Sequence, residues 1–103
     1  RLPGRDHDVR KIDNGDWIKV REVEFGASGP KELCLEVLNF QNPATVEFYA
    51  DAMGGRPFAA VEVKDNGSFR VPAAGNVSGR HDVYILFCGG DGQFFDFDWW
   101  QVK

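Results

Sequence analysis

Short runs in which apolar and polar residues alternate recur along the chain, at a spacing of roughly ten residues. Such alternation is typical of strands that bury one face, and no stretch keeps the 3.6-residue period of an amphipathic helix over three turns. Segments rich in Gly, Asn, Asp and Pro separate the runs and favour turns. The pattern therefore predicts seven strands, at residues 16–25, 32–38, 45–51, 58–64, 68–71, 81–88 and 94–102.

Many short strands joined by Gly-rich turns are typical of a β-sandwich or barrel, so we expect an all-β fold of two antiparallel sheets. The alternation assigns one face of each strand to the space between the sheets. The predicted core consists of Leu33, Leu35, Val37, Val46, Phe48, Ile85, Phe87 and Phe97. Residues 1–11 show no period and are predicted to form a loop or arm.

Two positions interrupt the alternation. In the first strand the pattern slips near Arg21 and Glu22, which predicts a β-bulge. In the last strand, strict alternation cannot bury both Trp99 and Trp100. Either one of these two rings faces outward, or a bulge at Asp98 shifts the phase of the strand.

Length and charge narrow the functional classes. The 103 residues, 43% of them hydrophobic and 27% charged, suffice for a single globular domain. Twelve basic and sixteen acidic residues give a net charge of −4 without a basic stripe, which argues against a nucleic-acid or membrane-surface binder. The chain begins with Arg1 and has no signal-type apolar segment, so we expect either a processed product or a domain of a longer protein, and we favour the domain.

Cysteine and histidine are scarce. A zinc site of these residues would need about four ligands with close pair spacing, and the sequence holds two Cys and two His. Cys34 and Cys88 lie far apart in sequence, so they are either two buried thiols or one disulfide bridge.

Catalysis within the chain is not predicted. Glycoside hydrolysis needs two facing carboxylates about 5–10 Å apart, and nothing singles out one pair among sixteen acidic residues. No serine lies in a G-x-S-x-G elbow. The Gly-rich segment 89–92 leads into a strand rather than a helix, which argues against a phosphate site. We therefore do not expect this chain to be catalytic, and a small glycosidase is a weaker hypothesis.

Aromatic residues point to sugars as ligands. They make up 14% of the chain. An outward-facing ring beside polar groups suits a sugar, whose apolar C–H face stacks on the ring while its hydroxyls form hydrogen bonds. Trp17 is such a ring, because Ile18 and Val20 alternate toward the core and direct Trp17 to the opposite face. The other residues expected to point outward are Glu47, Tyr49 and Asp51.

Two sequence blocks resemble a known family. They are I-D-N-G-D-W-I-K-V at 12–20, and V-S-G-R-H-D-V-Y-I-L-F at 77–87 with F-D-F-D-W-W-Q at 95–101. With T-V-E-F-Y-A-D and A-A-V-E-V between them, the chain from about residue 8 to 102 resembles the family 6 carbohydrate-binding modules. The resemblance implies a noncatalytic jelly-roll β-sandwich that binds glycans such as xylan, β-glucans or agar-type polymers. Members are usually appended to bacterial glycoside hydrolases, including family 43 enzymes.

The resemblance also implies two candidate sugar sites. At the loops along one edge of the sandwich, the family's first aromatic falls on Lys11 and its Asn on Asp96, and only Phe69 offers a ring near the family's mid-chain Trp. We expect Lys11 and Asp96 to lie close together and to fill this edge site with an ion pair. On the concave sheet face, the family's aromatic falls on Trp17. The other residues expected on that face are Glu47, Tyr49 and Asp51.

A structural calcium is a further implication of the resemblance. In the family it is held partly by an acid in the opening strand and partly by the C-terminal aspartate block, where this chain retains Asp98. The opening strand, usually rich in Glu, is not recognisable in residues 1–11. If that strand is missing, an open sheet edge lies beside the last strand.

Two functional hypotheses follow. The first is a noncatalytic module that targets an attached extracellular or periplasmic glycoside hydrolase to plant or algal polysaccharide. The second is a module without sugar affinity that serves as a structural spacer or docking domain. The expected partners are a polysaccharide or oligosaccharide and the attached catalytic domain, with neither nucleic acid nor membrane. Calorimetry against a panel of polysaccharides distinguishes the two hypotheses.

Overall fold

A computed structural model describes residues 14–27, 29, 31–73, 77–90, 92 and 94–102. The predicted loop or arm at 1–11 lies outside the described residues. The strands are β1 (Trp17–Glu24), β2 (Glu32–Leu38), β3 (Ala44–Ala50), β4 (Ala59–Val63), β5 (Gly67–Pro72), β6 (Arg80–Gly89) and β7 (Asp96–Val102). No helix long and apolar enough to cross a membrane occurs in the described part of the chain.

The strands form two antiparallel sheets. One has four strands in the order β1-β6-β3-β4, and the other has three in the order β5-β2-β7. The predicted all-β, jelly-roll sandwich is confirmed, and each strand lies within two residues of its predicted bounds at both ends.

The core lies between the two sheets, as the alternation predicts. All eight predicted core residues have no solvent exposure. Aromatic rings from both sheets meet there: the ring centroids of Phe48 and Trp100 are 5.4 Å apart, and those of Phe87 and Phe97 are also 5.4 Å apart. Offset and edge contacts of this kind contribute about 0.5–1.5 kcal/mol each beyond the burial of their surface.

Strand β1 contains the predicted bulge. Val20 pairs with Val83 and Val23 pairs with His81, so β1 holds one residue more than β6 in this interval. Glu22 takes up the difference with a φ of 54°, a left-handed value that is uncommon outside glycine. Its amide donates to Oδ1 of Asp82 at 3.0 Å, which replaces the hydrogen bond that the interrupted ladder lacks.

Strand β7 contains a second bulge, and it decides the positions of the two tryptophans. Glu36 pairs with Trp99 and Val37 pairs with Phe97, so Asp98 is the extra residue. Trp100 is 1% exposed in the core, whereas Trp99 is half-buried on the outer face of the three-stranded sheet. Both alternatives expected for this strand are therefore realised together.

The two cysteines are free thiols on opposite sides of the sandwich. Cys34 alternates with core residues of β2 and faces outward from the three-stranded sheet, and Cys88 alternates with core residues of β6 and faces outward from the other sheet. Packed sheets are about 10 Å apart, so a bridge between these thiols is excluded. The disulfide alternative is wrong, and Cys88 is only partly buried.

Candidate functional site

The outer face of the four-stranded sheet collects several of the predicted site residues. Direct pairing across β1, β6 and β3 gives two rows, Trp17–Leu86–Glu47 and Lys19–Tyr84–Tyr49. Directly paired residues share a face, so these six side chains lie together, and we call this surface the Trp17 face. Three strands at a spacing of about 4.8 Å put the backbones of Trp17 and Glu47 roughly 10 Å apart.

Trp17 offers an open aromatic ring on this face. Its side chain is 51% exposed, on the side of the sheet opposite the core, which confirms the predicted position. The ring of Tyr84 lies beside it, with centroids 5.9 Å apart and planes tilted by 42°. An indole this exposed, with a second ring at its side, can stack on an apolar ligand surface.

Lys19 places a positive charge at the side of this aromatic pair. Its Nζ lies 5.3 Å from the centroid of Tyr84 and 3.6 Å from Oδ2 of Asp82. A hydrogen bond to Tyr84 is the main reason that the pKa of Lys19 is raised, and the charge of Asp82 adds to it. The lysine covers Tyr84, so Trp17 is the ring left open to a ligand.

Glu47 is held in place by two neighbours. The hydroxyl of Tyr49 donates to its Oε1 at 2.9 Å, and Sγ of Cys88 lies 3.9 Å from the same oxygen. Burial chiefly, and then Glu47, raises the pKa of Tyr49 and likewise that of Cys88, so both remain protonated donors. Both contacts use Oε1, and neither occupies Oε2.

Tyr49 lies on the predicted face but lacks the predicted exposure. Its side chain is 7% exposed, because neighbouring side chains of the same face cover it. Tyr49 therefore faces outward as predicted, but it is covered: it orients Glu47 and offers no free ring.

Asp51 lies apart from the two rows. It follows β3 with a φ of 71°, which ends the alternation of the strand. It lies four residues along the chain from Glu47, about 13 Å of extended strand. Its Oδ2 is 2.8 Å from Nδ1 of His81, and the structure does not bring it to Trp17. With Glu22, Arg80, His81 and Asp82 it lines a cavity of about 230 Å³.

The edge site is described only in part. Asp96 starts β7 opposite Leu38, and its Oδ2 accepts a hydrogen bond from Nδ2 of Asn39 at 2.7 Å. Lys11 lies outside the described residues, so its pairing with Asp96 stays a prediction. Asn39 was missed by the sequence reasoning, although an Asn directly after a strand, here with a φ of 52°, is a usual left-handed turn residue.

Phe69 does not join Asp96. It pairs with Leu35, three residues along β2 from the Leu38–Asp96 pair, which corresponds to about 10 Å of strand. Its half-buried ring packs against the core. It adjoins a cavity of about 400 Å³ lined also by Cys34, Ser68, Arg70 and Trp99.

Asp98 is the only acidic residue that the resemblance assigns to calcium within the described strands. It is half-buried at the bulge of β7. Calcium takes six to eight oxygen ligands. Among the described residues no three His, Cys, Asp or Glu side chains are grouped to hold a metal. The family's opening strand is not recognisable in residues 1–11, which lie outside the described residues, and calcium stays a prediction.

Comparison with known proteins agrees with this geometry. The model of a carbohydrate binding module (family 6) matches residues 2–103. The arabinoxylan arabinofuranohydrolase of Bacillus subtilis (strain 168) is 30% identical over 105 residues, which cover 96% of this chain and 20% of that protein. The arabinoxylan arabinofuranohydrolase of Paenibacillus polymyxa is 29% identical over 99 residues, covering 90% of this chain and 15% of that protein. The chain thus spans a fifth or less of these curated relatives.

Solved structures give the same result. A glycoside hydrolase family 43 arabinoxylan arabinofuranohydrolase from Bacillus subtilis, in complex with cellotetraose, superposes with a TM-score of 0.82 at 30% identity, covering 93% of this chain and 21% of that chain. A family 6 carbohydrate-binding module from Clostridium cellulolyticum, in complex with xylose, superposes with a TM-score of 0.82 at 25% identity, covering 93% and 78%. Because the family match spans nearly the whole chain and the fold agrees, the chain belongs to family 6 of the carbohydrate-binding modules, which are noncatalytic binding domains.

Proposed function

We propose that this chain targets an attached glycoside hydrolase to a plant polysaccharide and that it binds the polymer on the Trp17 face. The observation that carries the proposal is the 51% exposed indole of Trp17 beside Tyr84 and Lys19, within a sheet row that also contains Glu47. Trp17, Tyr84 and Leu86 form an apolar cluster with Lys19 and Glu47 at its rim, an arrangement typical of an interaction surface.

The chemistry of this face suits a pyranose chain. The C–H face of one sugar ring stacks on Trp17, and Lys19 and Oε2 of Glu47 lie on the same face to donate to and accept from its hydroxyls. At the edge site, Oδ2 of Asp96 accepts from Asn39, just as Oε1 of Glu47 accepts from Tyr49 on the Trp17 face, so this contact does not distinguish the two sites. Lys11 and Asp96 stand where the family has an aromatic residue and an Asn. A charged residue at each position offers no flat apolar surface to a sugar ring.

The relatives narrow the ligand class. Two of them are arabinoxylan arabinofuranohydrolases, one was solved with cellotetraose, and a module of the family was solved with xylose. Xylan and cello-oligosaccharides share a backbone of β-linked pyranose rings. We therefore assign this chain a β-linked xylan or glucan backbone as ligand.

Replacing Trp17 tests this proposal. We expect Trp17→Ala to weaken binding of arabinoxylan or cellotetraose about tenfold, because a ring–sugar stack is worth on the order of 1 kcal/mol or more. Isothermal titration calorimetry measures the affinity, and circular dichroism shows that the fold is kept. Met53→Ala is the matched control, since Met53 is another exposed apolar side chain, 38% exposed, in the loop after β3.

The alternative function, a spacer without sugar affinity, predicts a different result. The unmodified chain would then bind none of a panel of xylans and β-glucans, and Trp17 would pack against the neighbouring domain. Sugar binding that is equal in wild type and Trp17→Ala would contradict the assignment of the site to the Trp17 face.

The proposed role of the module is to act on an attached enzyme. A module that binds polymer raises the effective concentration of its catalytic domain at the substrate. Polysaccharides of this class are too large to enter cells, so we assign the full protein an extracellular or periplasmic location. Immunoblotting of cell fractions and culture medium, after expression of the full-length protein in a bacterium, tests the location.

We also propose that Asp98 is one ligand of a structural calcium completed by residues outside the described strands. Calcium should then raise the Tm relative to EGTA by about 4–8 °C, the shift that about 1 kcal/mol produces in a domain of this size. Asp98→Asn should remove most of that difference. Equal Tm values in calcium and EGTA would contradict the proposal.

A further inference from the structure

The outer face of the three-stranded sheet contains a cavity that lies on the side of the sandwich opposite the Trp17 face. It has a volume of about 400 Å³ and is lined by Cys34, Ser68, Phe69, Arg70 and Trp99. We call it the Trp99 pocket.

The bulge at Asp98 creates this pocket. It lets Trp100 enter the core while Trp99 faces outward. Pairing across β5, β2 and β7 then forms two rows on the outer face, Ser68–Glu36–Trp99 and Arg70–Cys34–Gln101. Two strand spacings of about 4.8 Å separate the backbones of Trp99 and Ser68 by roughly 10 Å, and Glu36 lies between them in the same row.

The surfaces of the pocket differ in chemistry. Its floor is the thiol of Cys34, which is 6% exposed and apolar in character. Its walls offer the indole of Trp99, the hydroxyl of Ser68 and the guanidinium of Arg70. Oγ of Ser68 donates to Oε2 of Glu36 at 3.4 Å, and Nε of Arg70 lies 3.6 Å from Oε1 of Glu32. The ion pair engages Nε and leaves the terminal nitrogens of Arg70 as donors.

We propose that the Trp99 pocket is a second carbohydrate subsite, which takes one pyranose ring stacked on Trp99 with its hydroxyls on Ser68 and Arg70. An apolar ligand would desolvate these polar walls without replacing their hydrogen bonds. An anion would face Glu32 and Glu36, which already offset the charge of Arg70. A neutral pyranose ring avoids both problems, because its C–H face stacks on Trp99 while its hydroxyls form hydrogen bonds with Ser68 and Arg70.

The second subsite rests on the proposed function for its polymer and adds a property to it. The two aromatic sites lie on opposite outer faces of the sandwich, so one extended polysaccharide chain cannot stack on both. The module therefore binds two separate chains, which increases its retention on polymer bundles through avidity.

The three tryptophans of the chain make the test direct. The indole N–H signals of Trp17, Trp99 and Trp100 are assigned in a ¹H–¹⁵N spectrum through Trp→Phe variants, and the protein is titrated with cellotetraose and, separately, with xylose. We expect the Trp17 and Trp99 signals to move, each along its own saturation curve, while buried Trp100 stays nearly fixed as an internal reference.

Variants separate the two sites. Trp99→Ala should leave the titration of the Trp17 signal unchanged and reduce the number of oligosaccharides bound per module from two to one. Arg70→Ala removes an exposed side chain and so spares the fold, and it should weaken the titration of the Trp99 signal by about threefold to tenfold. Gln101→Ala, exposed on the same sheet face but outside the pocket, is the matched control and should change neither curve.

The outcomes are distinguishable. A Trp99 signal that stays fixed at saturating sugar while the Trp17 signal moves overturns the second subsite and leaves the proposed function intact. Movement of the Trp99 signal alone supports the subsite and contradicts the role of the Trp17 face. If both signals stay fixed with both sugars, the subsite and the proposed binding of β-linked xylan or glucan fail together.

Discussion

His81 bridges two acceptors at the end of the four-stranded sheet. Its Nδ1 lies 2.8 Å from Oδ2 of Asp51, and its Nε2 lies 2.5 Å from the carbonyl oxygen of Ser78. A carboxylate and a carbonyl can only accept, so both ring nitrogens must donate, which requires the imidazolium form. The hydrogen bond to Asp51 is the main cause of the raised pKa of His81, the carbonyl of Ser78 is the next, and Glu24 adds a smaller contribution.

This geometry predicts a pH-dependent stability. The folded-state pKa of His81 is raised above its unfolded value of 6.5, so the stabilisation is complete below about pH 6.5 and is lost as pH rises through the folded pKa. We expect the free energy of unfolding to fall by about 1 kcal/mol or less between about pH 6 and pH 8.5, because Asp51 is largely exposed to solvent. Urea denaturation at the two pH values measures it.

His81→Gln is the control for that prediction. It removes the titrating ring and keeps a side chain that can donate to Asp51. The difference between wild type and His81→Gln isolates His81, since both proteins retain His7. An equal loss of stability with pH in the two proteins would assign the effect to another group.

Residue exposure shows how far alternation predicts a site. The sequence predicts the face of Trp17 correctly, because successive side chains of a strand alternate and Ile18 and Val20 point to the core. Tyr49 has the correct parity and is nonetheless covered, since exposure also depends on the side chains of paired strands. Asp51 lies away from the predicted face because its own positive φ ends strand β3, and no apolar–polar pattern specifies that angle.

At the level of single elements, the extra residue Asp98 in β7 decides which tryptophan enters the core and which faces outward. Trp100 fills the core beside Phe48, and Trp99 forms the wall of the pocket on the outer face. The sequence offers this bulge as one of two alternatives, because strict alternation cannot bury both of two adjacent tryptophans. It does not predict the pocket, which needs Ser68 and Arg70 from β5, a strand about thirty residues earlier in the chain.

Deleting Asp98 tests the role of the bulge. Without Asp98 the strand would be regular: Phe97 and Trp100 would face inward and Trp99 outward, as they do now. The existing pairs Val37–Phe97 and Glu36–Trp99 would then be consecutive and need no shift of register. We therefore expect the deletion to keep the fold and to change the free energy of unfolding by no more than about 1–2 kcal/mol. Urea denaturation followed by circular dichroism measures the stability, and the indole N–H signal of Trp100 in a ¹H–¹⁵N spectrum shows whether this ring stays in the core.

An insertion is the opposite control. One Ala added after Trp99 would push Trp100 toward the outer face and leave its place in the core unfilled. Losing a large buried aromatic costs about 3–5 kcal/mol, so this variant should fold poorly or not at all. If the deletion were as damaging as the insertion, Asp98 would have a structural role beyond the phase of the strand, such as the proposed calcium ligand.

At the scale of the whole molecule, the sequence predicts the strands but not their order. Alternation locates each strand independently, whereas the order β1-β6-β3-β4 depends on pairs far apart in the chain, such as Trp17 with Leu86. The Trp17 face exists only through this order, because β6 carries Tyr84 between Lys19 and Tyr49. The disulfide alternative failed for the same reason, since sequence separation did not show that the cysteines lie on opposite sheets.

The proposed targeting role makes its own prediction for a complete enzyme. The chain matches about a fifth of the Bacillus subtilis arabinoxylan arabinofuranohydrolase, so it can be exchanged for the matching segment of that protein. Tethering confines the catalytic domain to the polymer surface, an effect that matters for insoluble arabinoxylan and is absent for a small soluble arabinofuranoside. At low enzyme concentration, we expect Trp17→Ala in the chimera to lower the rate on insoluble arabinoxylan by up to about tenfold, matching the loss in affinity.

Release of arabinose measures the rate on both substrates. The rate on the small soluble arabinofuranoside should be the same for the chimera, its Trp17→Ala variant and the Met53→Ala control, because none of these changes touches the catalytic domain. A loss on both substrates would indicate damage to the packing between module and enzyme rather than loss of targeting. Equal rates on the insoluble polymer, with binding weakened in calorimetry, would show that affinity on the Trp17 face does not direct the enzyme to its substrate.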